Sequence, residues 1–188
     1  MNPRITSIIL CAGASSRMGI PKALLEHKGK ALLSHHIDAV IPFSNEIRVV
    51  TGSRAELLKP LLFPHTEIHN PQWQDSEMRH SIALGLAGLG PNTIILLTPV
   101  DCPPAKPGLI QRLLDGKLPA CGGHNGIPGH PLLGTVKWLQ SALDDGPLCH
   151  QQDSFTVHEG GVERTYNLNT PEDWAGWTGV PPRRWRRG

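Results

Sequence analysis

At 188 residues, with 39% hydrophobic and 18% charged content, the chain has the size and composition of one globular domain able to bury a sizeable core. Its formal charge of +2 sits at one end: Arg183, Arg184, Arg186 and Arg187 carry four positive charges, and without them the remainder is −2, which excludes a basic nucleic-acid footprint over the body. No apolar run approaches the roughly 18 residues of a membrane helix, and Cys11, Cys102, Cys121 and Cys149 have neither C-x-x-C nor zinc-ligand spacing, so with no signal peptide the expected location is a reducing cytoplasm.

Short apolar strands alternate with helix-period segments. Residues 5–10 read as a first strand, followed by a glycine-containing loop. Leu32, Leu33, Ile37, Val40 and Ile41 mark one face of a helix that ends near Pro42. Residues 46–51 (E-I-R-V-V-T) predict a second strand, 55–62 a helix stopped by Pro64, and 66–70 a weaker third strand. Met78, Ile82, Leu86 and Leu89 recur at helical spacing, and Gly90-Pro91 stops them. The run T-I-I-L-L at 93–97 is β-rich and continuously apolar, as in a strand covered on both faces. Residues 107–114 predict a short helix opening on proline.

The second half is less regular. A strand at 118–121, a glycine-rich stretch at 122–129, an extended segment at 132–135 and a helix at 136–143 are expected, with Asp144 to Pro147 as a break. Residues 156–168 alternate around Gly160-Gly161, which predicts a hairpin-like pair. Thr170 is the expected N-cap of a last helix, with Pro171 at its first position and Asp173 reaching back. Together these predict a three-layer α/β/α, Rossmann-like fold: a mostly parallel sheet with a small antiparallel element in the second half. The domain is expected to span 1–179, and 180–188 to form a disordered basic tail. In such a sheet ligands bind beyond the carboxyl ends of the strands. Gly13, Gly52, Asn70 and Asp101 follow the first four predicted strands in turn.

The most informative stretch is 8–25, I-I-L-C-A-G-A-S-S-R-M-G-I-P-K-A-L-L. Its loop places Arg17 and Lys22 beside backbone that Gly13 and Gly19 leave open, the composition of a polyphosphate cradle. A helix start nearby would add positive partial charge. The spacing is neither the G-x-x-x-x-G-K-[ST] phosphate loop nor G-x-G-x-x-G. Farther on, L-T-P-V-D-C-P at 97–103 sets Asp101 just beyond a buried strand, where it reads either as a loop-capping carboxylate or, opposite a triphosphate, as a ligand for Mg²⁺. Cys11 and Cys102 adjoin these two motifs and read best as small buried residues filling space.

The first stretch resembles the signature of nucleotidyltransferases with a molybdenum-cofactor-transferase-like fold, commonly L-A-A-G-x-S-x-R-M-G-x-P-K-x-L-L. The chain matches it at Leu10, Ala12, Gly13, Ser15, Arg17, Met18, Gly19, Pro21, Lys22, Leu24 and Leu25. The aspartate motif resembles the family's P-x-D-x-P, and N-L-N-T-P-E-D at 167–173 its closing motif. N-P-Q-W at 70–73 with Ser81 resembles the segment that contacts base and ribose, although S-E-M-R-H at 76–80 replaces the usual small residues before that serine. G-H-P at 129–131 resembles the acceptor-bordering segment of the molybdenum cofactor cytidylyltransferase subgroup.

This resemblance implies transfer of a nucleoside monophosphate from an NTP to a phosphorylated acceptor, with Mg²⁺ and release of pyrophosphate. The implied nucleotide-binding residues are Leu10, Cys11, Ala12, Gly13, Ser15, Ser16, Arg17, Met18, Gly19, Lys22, Asn70, Ser81 and Asp101. Arg17, Lys22 and Asp101 take catalytic roles; Asp101 and Asn167, or alternatively Asn169, hold Mg²⁺; and His130 either borders the acceptor or is a structural histidine. CTP is the implied donor and molybdopterin the implied acceptor, because Ala12-Gly13 stands where guanylyltransferases often carry two glycines. A molybdoenzyme or maturation factor is an implied partner. A sugar or alcohol phosphate is the alternative acceptor, and a non-catalytic nucleotide-binding or cofactor-insertion chaperone is the alternative of another class.

Overall fold

The computed structural model describes residues 4–182, apart from the side chains of residues 149 and 152; the four tail arginines lie outside the described residues. In chain order the elements are β1 (Ile5–Cys11), β2 (Glu26–His27), β3 (Lys30–Ala31), α1 (Leu32–Val40), β4 (Glu46–Thr51), α2 (Lys59–Leu62), β5 (Thr66–His69), α3 (Met78–Leu86), β6 (Ile94–Pro99), α4 (Pro107–Asp115), β7 (Ala120–His124), β8 (Ile127–Thr135), α5 (Val136–Asp144), β9 (Thr156–Glu159) and α6 (Pro171–Thr178).

Seven strands form one sheet in the order β5-β4-β1-β6-β8-β7-β9. All run in one direction except β8, which pairs antiparallel with both β6 and β7. Side chains of a strand alternate between faces, and β1 divides accordingly. Ile9 and Cys11 enter a core cluster with α1, α4 and Trp174 of α6, whereas Ile8 and Leu10 enter a second cluster with α3 and α5. Burial of both sets makes the sheet the middle of three layers, in agreement with the fold expected from sequence.

One local expectation is corrected. The alternation at 156–168 does not fold into a hairpin: β9 pairs parallel with β7, and Val162–Thr165 then turns as a 3-10 helix that sends Arg164 inward, 3% exposed. The hairpin lies earlier, between β7 and β8, where Asn125 and Gly126 both adopt positive φ (50° and 78°), the conformation a two-residue hairpin turn requires. The glycine loop runs through turns into the 3-10 segment Lys22–Leu24. The helix start facing the site belongs to α3, whose Met78 and Ser81 line its wall.

Candidate active site

The chain leaves β1 toward β4 and β5 on one side and reaches β6 on the other, so the strand order reverses between β1 and β6. Such a switch point opens a crevice beyond the carboxyl ends of the strands. Gly13 and Asp101 flank it, and Gly52 and Asn70 follow the neighbouring strands. Gly52 is there because nothing larger fits: a Cβ would lie 2.6 Å from both Ala12 O and Trp73 Cβ. The Ser53 amide donates to Ala12 O at 3.0 Å, joining the first loop to the end of β4.

Lys22 and Asp101 meet across the crevice. The Lys22 ammonium donates to Asn169 Oδ1 at 2.6 Å and lies 3.4 Å from Asp101 Oδ2. The lysine side chain is 11% exposed and the carboxylate 27%, so both are partly withdrawn from water. The Lys22 backbone amide donates to Ser15 Oγ at 3.0 Å, which fixes where the side chain departs. The closing segment is held from two sides: the Leu168 amide donates to the Asp101 carbonyl, and the capping box of α6 ties Asp173 to the amides of Asn169 and Thr170. Trp174 of α6 is buried against Trp177 and His27, which docks the helix on the β2–β3 hairpin.

Two cavities share a wall formed by Leu10, Glu77, Met78, Pro99 and Asp101. The smaller, about 200 Å³, is lined by Leu10, Cys11, Ala12, Gly13, Ser15, Lys22, Ser81 and Asp101, which brings together eight of the residues expected from sequence. The larger, about 500 Å³, takes Asp101, His130 and Asn167. Others stand apart. Ser16, Arg17 and Gly19 are exposed on the outer loop, where the Arg17 charge acts on the Asp173 carboxylate. Met18 is buried in the core, and the amides of Met18 and Gly19 donate to Ser15 O, so they are spent inside the loop rather than presented to an anion. Asn70 is fully buried beneath the wall: its amide nitrogen donates to Ser76 Oγ and Ser81 Oγ, each at 3.0 Å, and its Oδ1 accepts from the Gln72 amide at 2.9 Å. Asn70 therefore positions Ser81 and the Trp73 segment instead of lining the pocket.

The Asp101 loop is clamped from beneath. His36 Nε2 lies 2.9 Å from Cys102 O, and because a carbonyl only accepts, that nitrogen carries the hydrogen. Burial draws His36 down to about 3, although its hydrogen bonds oppose the shift. Burial likewise draws His130 down to about 4, against the pull of Asp101 and with Arg164 adding to the shift, so the ring is neutral at neutral pH. Burial raises the Cys11 thiol, with Asp101 adding to it, and pushes Cys102 up to about 12. Both cysteines are buried packing groups, the reading preferred from sequence although their positions beside the motifs would also have suited a redox or metal role.

Comparison with known proteins decides the family. The sequence pattern of the MobA-like NTP transferase domain matches residues 7–153. The chain belongs to that family. It is similar to the molybdenum cofactor cytidylyltransferase of Escherichia coli (strain K12), 27% identical over 183 residues that cover 90% of this chain and 93% of the relative. It is equally similar to the molybdenum cofactor guanylyltransferase of Xanthomonas euvesicatoria pv. vesicatoria (strain 85-10), 27% identical over 90% and 92% of the two chains. Among solved structures, a nucleotidyl transferase from Methanothermobacter thermautotroptrophicus superposes with a TM-score of 0.79 at 22% identity, covering 94% of this chain and 96% of that one. Like its relatives, this chain is a nucleotidyltransferase of the MobA-like type.

Within the family's site, the oxygen donors available to a metal are few. Among the described residues no group of three or more His, Cys, Asp or Glu side chains converges. Asp101 and Asn167 do line one cavity, while the Asn169 amide is taken by Lys22. One carboxylate and one amide suit a hard divalent cation that keeps several waters and leans on substrate phosphates. Trp73 of the N-P-Q-W segment does line the smaller pocket, whereas sequence reasoning missed the walls contributed by Ser53 and Ser76, and the clamps His36 and Arg164. A signal existed for His36: with Leu33, Ile37 and Val40 it falls on the buried face of α1.

Proposed function

We propose that this chain moves CMP from CTP to the phosphate of a small acceptor, with molybdopterin as the leading candidate, and releases pyrophosphate. The observation that carries the reading is the Lys22–Asp101 pair on the boundary between a small pocket and a larger one, at the strand switch point. The smaller pocket takes the nucleotide. Lys22, drawn from Asp101 and Asn169 onto the β- and γ-phosphates, offsets charge that grows on the departing pyrophosphate; Arg17, exposed on the loop, swings onto the same oxygens. Asp101 and Asn167 would hold Mg²⁺, which when bound neutralises phosphate charge between the two substrates. The acceptor phosphate is largely ionised at neutral pH, so one of its oxygens bonds to the α-phosphorus while the bond to pyrophosphate breaks, and no general base is needed. His130, neutral in its buried setting, is consistent with that.

CTP is favoured over GTP because the Ala12 side chain stands where a glycine would leave room for a purine, and the relative named as a cytidylyltransferase aligns over 90% of the chain. The guanylyltransferase relative aligns as far, so base choice rests on the pocket. Residues 1–179 act as the catalytic domain with 180–188 as an appended basic tail, and we place the protein in the cytoplasm, where it meets a molybdoenzyme or maturation factor. The reading is tested by following pyrophosphate release from each NTP with Mg²⁺ and molybdopterin. Acceptor-dependent release fastest with CTP is expected, and CTP bound without any release would point to a binding module.

A further inference from the structure

Segments 101–106 and 163–168 lie against each other and are joined by three rungs. The Leu168 amide donates to Asp101 O, the Arg164 guanidinium donates to Pro104 O at 3.2 Å, and the Lys106 ammonium pairs with Glu163 Oε1 at 3.2 Å. The last rung is a surface contact, with the Lys106 side chain 80% exposed, and contributes little. Arg164 is different: it is 3% exposed, and burial works against its charge. Its hydrogen bond goes to a main-chain carbonyl, while the neighbouring Glu163 carboxylate is occupied by Lys106. Exchanging buried charged groups for apolar side chains of similar volume is often neutral or stabilising, so fold stability does not account for this cation. The path of the side chain is nevertheless cleared for it. A Cβ at Gly160 would lie 2.6 Å from Arg164 Cγ, and one at Gly129 would run into the Arg164 carbonyl.

We propose that Arg164 is a positioning residue for the transfer reaction: through Pro104 O its guanidinium fixes how far Asp101 lies from Asn167, the oxygen pair that would hold the divalent cation. The proposal rests on the nucleotidyl-transfer reading and adds to it a residue that lines neither cavity. Asp101 opens the first segment and Asn167 lies in the second, so the rungs between them set their separation. His36 holds the first segment from its other side, at Cys102 O, and leaves the second untouched. Without Arg164, the second segment would hang on one main-chain bond and an exposed ion pair. The planar guanidinium gives that rung a fixed direction, which a rotating ammonium does not. Nucleotide binding does not depend on it, because the smaller pocket is built from the β1 loop, the α3 wall and the end of β6.

The test uses the full chain saturated with a non-hydrolysable CTP analogue and titrated with Mn²⁺, whose bound form is followed by electron paramagnetic resonance. Arg164→Met keeps most of the volume and deletes the charge and the bond. It should weaken Mn²⁺ by about 10- to 100-fold and lower kcat by a similar factor, the range for residues that orient metal ligands. The affinity for the analogue without metal and the KM for CTP should stay at wild-type values, and Arg164→Lys should recover part of both losses. Gly160→Ala displaces the Arg164 stem and leaves its charge, so it should shift Mn²⁺ affinity and kcat in the same direction. Leu139→Ala, in the core on α5 and in neither cavity, controls for lost stability alone and should leave Mn²⁺ affinity unchanged. A folded Arg164→Met protein with wild-type Mn²⁺ affinity and kcat, or an equal loss in Leu139→Ala, overturns the proposal and leaves nucleotidyl transfer intact. Should Arg164→Met not fold, wild-type values in Gly160→Ala overturn it instead. Failure of the wild-type chain to bind the analogue would remove both readings.

Discussion

Replacing Lys22 by Met keeps most of the apolar stem and deletes the charge. In the free protein the ammonium makes a short bond to Asn169 Oδ1 at 2.6 Å and an ion pair with Asp101 Oδ2 at 3.4 Å. Two unit charges at that separation attract by roughly 1 kcal/mol in water and 5 kcal/mol at an effective dielectric of 20. With the carboxylate 27% exposed, solvent screening places the loss of folding stability near the lower bound, about 1 kcal/mol. The loss in catalysis is larger, because a charged hydrogen bond to the leaving pyrophosphate contributes about 1.5–3 kcal/mol, a fall of roughly 10- to 200-fold in kcat/KM. Urea unfolding and continuous pyrophosphate release on one preparation separate the two effects. A Lys22→Met protein with wild-type stability and undiminished turnover would refute the assignment of Lys22 to the phosphates.

Three further outcomes follow from the same geometry. Asp101→Asn should fold normally, because the bond to the Leu168 amide uses the Asp101 main-chain carbonyl, and should lose most metal-dependent turnover; retained rate and retained metal dependence would assign the ion to another carboxylate. Gly52→Ala, whose new methyl meets Ala12 O and Trp73 Cβ at 2.6 Å, should cost about 1–3 kcal/mol of stability and weaken nucleotide binding, and an unperturbed urea midpoint would show that the loop yields freely. His36 is held at about 3 in the fold against 6.5 unfolded, so the unfolded chain binds the extra proton between those values. Stability should therefore fall as pH drops below about 6.5, His36 contributing about 2 kcal/mol from pH 7 to 5 beside a similar share from His130; His36→Gln should remove its share of that slope, and an identical slope in the variant would remove His36 from the account.

The sheet was legible because its central strands are rich in apolar residues, continuously so in β6, and the helices between them keep a 3.6-residue period. Residues 46–51 and helix α3 begin where the pattern places them, and the Thr170 capping box forms as its spacing predicts. The second half was harder. Alternation at 156–168 imitates a hairpin, but Gly161 at φ 93° and the buried Arg164 turn the chain away, while the true hairpin signal, Asn125-Gly126, lay inside a glycine-rich stretch. At the site, residue type identified the chemistry and could not distinguish contact from support. Asn70 has the donors and acceptor of a nucleotide ligand, yet all of them bond to protein. Asn169, two residues from Asn167, occupies Lys22, a distinction only the turn at 167–169 reveals. Gly52 was visible as a residue after a strand, but the close approach of Ala12 and Trp73 that requires it is a tertiary fact.

The central claim is that the pocket beside Gly13, Lys22 and Ser81 binds a nucleoside triphosphate and prefers cytosine. Isothermal titration of the full chain with CTP, GTP, ATP and UTP, each with Mg²⁺, tests it directly. CTP should bind most tightly, by about 10- to 200-fold over GTP, the range that a methyl-sized difference in a pocket can give. GTP binding as tight as CTP would contradict the cytidylyl assignment, and no binding of any of the four would contradict the account as a whole.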